Sequence, residues 1–373
     1  MKSFTNYIIL LIILIVLGIF YRRYEDKMSR EENEENIETI RKFLLDDVTL
    51  AKSKKPILWI HVPYEYNSRN WLSFGSRSSF DLNQPYLYLT IRSIIQQCDN
   101  SFTICIIDDN SFHKLLPGWN INLNKIPNPL TDNIRMLCLM KLLYKYGGMI
   151  CPISFLCIKN LLPLYEKGIS NDRMFICETV DRNITSTTYD FYPNLIFSGA
   201  SKECQTVGNL IDFIQRAISR DYTAEIEFLG DFNRWCEARV RKGEINLIDG
   251  REIGTKTMDD NRVLVDDLLS NNYLNIYTQT YGIYIPAYEL LQRHHYNWFC
   301  RMSERQIMES NTIIGNYILV TIAQGGGKVL EPLKIKPQGW VGFWKTPLYP
   351  GGLYGQKPNF LGDNLSMVRY TGR

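Results

Sequence analysis

Leu143-Tyr144-Lys145-Tyr146-Gly147-Gly148-Met149-Ile150-Cys151-Pro152-Ile153-Ser154-Phe155-Leu156-Cys157-Ile158-Lys159-Asn160-Leu161 is the stretch that sets the fold class. Apolar residues recur at helical spacing over residues 134–146, and the glycine pair stops them. Glycine is the usual residue just past a helix end. Met149-Ile150-Cys151 then reads as a short buried strand. A helix that turns tightly into a buried strand is the repeating joint of an α/β protein.

The flanks repeat that joint. Pro56-Ile57-Leu58-Trp59-Ile60-His61-Val62 follows the basic pair Lys54-Lys55 and is the near-continuous apolar run of a strand buried on both faces. Residues 86–98 have helical spacing, and residues 102–107 are a second strand that ends in Asp108-Asp109-Asn110. This β-α-β-α-β order predicts a mainly parallel sheet, with any ligand at the strand carboxyl ends. Further on, residues 174–178 read as a strand and 194–197 as an apolar segment; 204–219, 228–242 and 287–303 read as helices. From Gly325 the chain is rich in Gly, Pro and aromatics, as in short strands and turns. Gly325-Gly326-Gly327-Lys328 is not a phosphate loop, because the spacing fails and Val329 stands where Ser or Thr is required.

The pattern Leu-Tyr-x-Tyr-Gly-Gly, a strand, an apolar run and Leu161 resembles the glycosyltransferases with a DxD sugar-binding region, typified by the initiating mannosyltransferases of fungi. The resemblance covers most of residues 54–215 and is specific only at residues 143–161. It implies a GT-A-type, Rossmann-like α/β fold and a sugar-nucleotide donor, with a glycan or protein hydroxyl as acceptor. It also implies Mg²⁺ or Mn²⁺ held by the two aspartates, which offsets charge on the leaving diphosphate. Pro152 and Ser154 occupy those two positions here, and the chain contains no Asp-x-Asp. Pro152 has no ligand atom and Ser154 only a neutral hydroxyl, poor partners for a hard cation. Three outcomes stay open: a transferase using Lys or Arg in place of metal, a metal site rebuilt elsewhere, or a catalytically inactive fold that binds or supports at a membrane. The same family places an Asp-x-x-Arg in the helix before the glycines. Counting back from Gly147, those positions hold Met136 and Leu139, and Asp132-Asn133-Ile134-Arg135 repeats the spacing one turn early.

Charge and composition narrow the partners. A net charge of +3 over 373 residues gives no basic surface for nucleic acid. The 23 tyrosines would suit a carbohydrate surface, although an AT-rich coding bias accounts for them equally well. Nine cysteines form no Cys-x-x-Cys pair and no zinc pattern. Most sit among apolar residues and read as core thiols, which disfavours a heavily oxidised lumen without excluding one disulfide.

Residues 7–21 are apolar and uncharged, and with 4–6 approach the roughly 20 residues of a spanning helix. No small-residue cleavage site precedes Arg22-Arg23, so residues 1–24 read as a retained single-pass anchor in the lipid bilayer. Its orientation is open: the basic residues 22–30 favour a cytosolic domain, while the resemblance implies a Golgi- or ER-like lumen. Residues 25–53 read as a charged helical stalk, 54–324 as the transferase-like domain and 325–373 as an extension. Asn183-Ile184-Thr185 and Asn364-Leu365-Ser366 could carry glycans only if the domain faces a lumen.

The candidate site residues follow from the predicted strand ends. Asp108, Asp109 and Asn110 are the best oxygen ligands for metal or ribose, and equally a turn with a helix N-cap. His61 either contacts the nucleotide or is a buried, hydrogen-bonded histidine; Tyr64, Glu65 and Arg69 follow it. Gly147 and Gly148 would let a donor approach the backbone, besides ending a helix. Ser154 is a candidate for a sugar hydroxyl. Asp231 is a candidate acceptor-side base, or a helix-start carboxylate favoured by the dipole. His294 and His295 read as packing residues.

Overall fold

A computed structural model describes residues 55–63, 84–123, 126, 130–180, 189–220 and 225–324, with the isolated position 18. The chain divides into residues 1–44 and 45–373, and all described residues but position 18 belong to the second unit. Apart from position 18, the anchor, the stalk, residues 64–69, Asn183, Asn364 and the extension lie outside the described residues. Among the described residues no helix is long and apolar enough to cross a membrane.

In chain order the elements are β1 (Ile57–Val62), α1 (Pro85–Cys98), β2 (Thr103–Asp108), α2 (Ser111–Leu115), α3 (Leu130–Tyr146), β3 (Gly148–Ile150), β4 (Phe155–Cys157) and α4 (Leu162–Gly168). There follow β5 (Met174–Val180), β6 (Phe191–Ala200), α5 (Gln205–Ser219), α6 (Glu225–Arg241), β7 (Ile245–Ile248) and α7 (Val265–Leu269). The last are β8 (Gly282–Tyr284), α8 (Ala287–Gln292), α9 (Asn297–Cys300), α10 (Glu304–Met308) and α11 (Ile313–Gln324).

Six strands form one sheet in the order β2-β1-β3-β6-β5-β7. The pairs β1/β2, β1/β3 and β5/β7 are parallel, whereas β6 runs antiparallel to both β3 and β5. Five strands therefore share a direction and β6 alone is reversed. The sheet is mainly parallel, as the β-α-β-α-β order predicts. A separate two-stranded ribbon joins β4 to β8.

The register decides which residues share an edge. Leu58 pairs with Met149 and Trp59 with Ile150 between β1 and β3. Val62 pairs with Asp108 between β1 and β2. The carboxyl edge thus carries His61, Val62, Asp108, Asp109 and Cys151, and the amino edge carries Ile57 and Gly148. Trp59, Cys105, Ile107 and Ile150 meet Leu139, Met140 and Leu143 of α3 and Val207, Leu210 and Ile214 of α5 in one buried cluster. Leu58 and Ile60, also without exposed surface, alternate to the opposite face.

Two local departures have physical causes. The expected helix over residues 287–303 breaks at Arg293, which is extended (φ −91°, ψ 115°), and continues as a 3₁₀ turn at His294–Tyr296 and the short α9. The apolar segment 194–197 belongs to the ten-residue β6, which a register shift at Ile176/Cys177 of β5 accommodates.

Candidate functional site

The carboxyl edge of β1 and β2 carries a buried polar cluster. His61 projects from β1, Asp109 follows β2, and Arg135 lies one turn inside α3. The His61 Nε2 is 2.8 Å from Asp109 Oδ1. The Arg135 guanidinium grips the same carboxylate at two points, Nε to Oδ1 at 3.0 Å and Nη2 to Oδ2 at 2.7 Å. Its Nη1 donates to Asp132 Oδ1 at 3.0 Å. Side-chain exposure is 8% for His61 and for Arg135, and 6% for Asp109, so water screens these charges little. A forked guanidinium–carboxylate pair of this kind is among the strongest polar contacts in proteins.

Burial alone would raise the Asp109 carboxyl, but hydrogen bonds and charge from His61 and Arg135 outweigh it and hold the pKa down at about 2. Asp109 is therefore an acceptor at neutral pH, and Nε2 of His61 carries the hydrogen that it donates. In the neutral ring Nδ1 is then the acceptor nitrogen. The imidazole also packs against Phe112, with ring centroids 5.3 Å apart and the ring planes tilted by 31°.

The sequence-derived candidates separate on this geometry. Asp109 and His61 meet, and both oxygens of Asp109 already accept from protein donors, Oδ1 from His61 and Arg135 and Oδ2 from Arg135. Asp108 Oδ1 accepts from Ser111 N at 2.8 Å and Ser111 Oγ at 2.6 Å, so it closes the turn into α2. Asn110 is exposed at the N-cap position of α2, without a side-chain capping bond.

Gly147 and Gly148 lie at the opposite, amino edge of the sheet, where β3 begins. Gly147 ends α3 in the left-handed region (φ 71°), its N–H bonded to Leu143 O at 2.8 Å. A Cβ on Gly148 would stand 2.2 Å from Ile57 O. Both glycines serve the helix–strand joint.

Ser154 is likewise structural. It is buried and donates to Ile285 O at 2.6 Å, while Ile285 N donates back to Ser154 O at 3.1 Å. The adjoining backbone is held to α1: Thr90 Oγ1 donates to Ile153 O at 2.7 Å, and Cys157 N to Ser93 Oγ at 2.9 Å. Ser154→Ala should cost about 1–2 kcal/mol, the cost of one orphaned buried acceptor, read as a lower denaturant midpoint. Affinity for any nucleotide sugar should not change.

Asp231 sits on α6 in an i,i+3 ion pair with Arg234 at 2.6 Å. This helix packs on β6 and β7, on the far side of β3 from His61 and Asp109. His295 Nε2 is 3.9 Å from Asp266 Oδ1. Among the described residues no group of three or more His, Cys, Asp or Glu is arranged to hold a metal ion. Pro152, Ser154 and the committed Asp109 do not fit Mg²⁺ or Mn²⁺.

Arg135 is the residue that sequence reasoning misplaced. Counting from the glycines directs attention to Met136 and Leu139, whereas the helix presents Arg135 to the strand end 26 positions earlier.

No protein-family model matches this chain, and no curated protein sequence does. Among solved structures, the chain is similar to an active-site mutant of LgtC at 13% identity, covering 62% of this chain and 87% of that one, with a TM-score of 0.31. It is similar to the galactosyltransferase LgtC in complex with donor and acceptor sugar analogs at 12% identity, covering 52% and 74%, with a TM-score of 0.27. It is also similar to the apo form of the glycosyltransferase GlyE of Streptococcus pneumoniae TIGR4 at 9% identity, covering 53% and 46%, with a TM-score of 0.30. Scores of this size do not establish a shared fold family, and the α/β architecture rests on the sheet itself.

Proposed function

We propose that this chain is a membrane-anchored, glycosyltransferase-like protein that takes a nucleotide sugar at the carboxyl edge of β1 and β2 without a carboxylate-held metal ion. The acceptor would be a hydroxyl of a glycan or protein. The observation that carries the reading is the His61–Asp109–Arg135 cluster, a preorganised polar group at the edge where α/β sheets bind ligands. With Asp109 ionised and locked, His61 offers Nδ1 either to accept from a sugar or acceptor hydroxyl or, when protonated, to donate to a phosphate oxygen. Arg135 fixes Asp109, and Asp109 fixes the ring.

A second reading is favoured by one specific feature. Two of the candidate polar side chains are bonded to protein: Ser154 to Ile285 O, and Asp109 to Arg135. A non-catalytic protein that binds a glycan or a partner at a membrane would need nothing more.

Calorimetric titration of the detergent-solubilised full chain with a panel of nucleoside-diphosphate sugars, in Mn²⁺ and in EDTA, tests the proposal. One donor should bind equally well in both. Binding that requires Mn²⁺ contradicts the metal-free site, and silence from every donor removes the nucleotide-sugar reading. Release of nucleoside diphosphate in the presence of acceptors separates transfer from binding alone.

A further inference from the structure

Two thiols meet where the end of α1 packs on the end of β4. Cys98 is the last residue of α1 and Cys157 the last of β4; neither has exposed surface, and their Sγ atoms are 3.9 Å apart. The backbones that carry them are already fixed to each other by the Thr90–Ile153 and Ser93–Cys157 hydrogen bonds. A disulfide needs the sulfurs at about 2.05 Å, so closure asks for roughly 2 Å of approach.

The two thiols are also unlike. The hydrogen bond from Cys157 lowers the Cys98 thiol, helped by the Leu161 backbone N–H and opposed by burial. Burial pushes Cys157 well up, and its single S–H has two acceptors within reach, the Cys98 sulfur and Lys159 O at 3.1 Å. One member is thereby disposed to ionise and the other to keep its proton. Cys105, Cys138, Cys204 and Cys236 belong to the core cluster that β1 and β2 share with α3, α5 and α6.

We propose that Cys98 and Cys157 are a dithiol modification site that a small hydroperoxide closes to an internal disulfide. The Cys98 thiolate attacks one peroxide oxygen, the O–O bond breaks, and Cys98 becomes a sulfenic acid while hydroxide leaves. The Cys157 sulfur then attacks the Cys98 sulfur and expels the sulfenic oxygen. The Cys157 proton accompanies that oxygen, so that water departs. In sum, two thiols lose two electrons and hydrogen peroxide is reduced to two waters. The oxidant must be small because neither sulfur reaches the surface. The new bond ties α1 to the ribbon that follows Pro152 and Ser154.

The test is peptide mapping of the full chain after hydrogen peroxide, with free thiols alkylated under denaturing conditions. Two of the nine thiols should be lost, and one linked species should join the peptide after Arg92 to the peptide after Lys145. Each peptide holds a second cysteine, Cys105 and Cys151, so fragmentation must place the link at Cys98 and Cys157. The oxidised protein should melt higher than the reduced one, and dithiothreitol should reverse the shift. Cys98→Ser and Cys157→Ser should each abolish the link, and Cys151→Ser should keep it. If the serine variants do not fold, the wild-type map decides alone. A link between any other pair, oxidation to sulfinic acid without a link, or nine alkylated thiols overturns the proposal.

Discussion

Gly148→Ala should leave the chain insoluble or lower its melting temperature more than any other single change at the helix–strand joint. The alanine Cβ would lie 2.2 Å from Ile57 O and 3.0 Å from Ile57 C, both backbone atoms of the central strand β1. Gly148 also has φ at 101°, outside the range of an L-residue. Backbone strain of about 1–3 kcal/mol and overpacking of about 1–3 kcal/mol add at one site. Their sum approaches the whole stability of a small domain. Gly147→Ala is the control. Its φ of 71° is left-handed, and the nearest atom to its Cβ is Lys202 N at 2.9 Å, so a loss of about 1–2 kcal/mol is expected. Thermal denaturation of both variants gives the ranking. A Gly148→Ala protein as stable as Gly147→Ala would mean that β3 does not lie against β1 as described.

Arg135→Ala should cost about 3–5 kcal/mol, because it strands a buried carboxylate that has lost its forked partner. Arg135→Lys should recover only part of this, since an ammonium cannot match both oxygens. The pH dependence has a definite sign. Asp109 has a folded pKa of about 2, below the roughly 3.9 of a free aspartate, so its contribution is complete above that ordinary value. It is lost as pH falls from about 4 towards 2, and amounts to about 2–3 kcal/mol at neutral pH. Denaturant unfolding of wild type and Asp109→Asn across that window checks this: the wild type should lose stability with acid faster than the variant. Parallel curves would show that Asp109 is not held ionised by Arg135.

The residues that announced the fold were the ones whose signal is local. Ile57–Val62, Pro85–Cys98 and Thr103–Asp108 fall within a residue of their expected bounds, because continuous apolar runs and helical spacing need no knowledge of the partner strand. Gly147 marked the end of α3 for the same reason. The start of α3 came earlier than its apolar periodicity, since Thr131, Asn133 and Arg135 are polar yet buried. β4 and β8 pair across more than a hundred residues, and nothing in either three-residue segment names the other. β7, at four residues, is nearly as short and gave no strand signal of its own.

The site divided along similar lines. That Asp109 and His61 belong to one edge followed from strand order. That Arg135 occupies both oxygens of Asp109 depends on the rotation of α3 against β2, which a motif count from the glycines cannot supply. Ser154 kept the position of a family ligand, but its partner Ile285 lies 131 residues away.

Hydrogen–deuterium exchange of the full chain, with and without the nucleotide sugar that binds most tightly, tests the central claim most directly. Protection should appear at the amides of His61, Val62, Asp108, Asp109, Asn110, Cys151 and Ile153, equally in EDTA and in Mn²⁺, with the amides of Gly147 and Gly148 unchanged. Protection confined to the glycine edge, protection that appears only with Mn²⁺, or none with any donor would contradict a metal-free sugar-nucleotide site at the carboxyl ends of β1, β2 and β3.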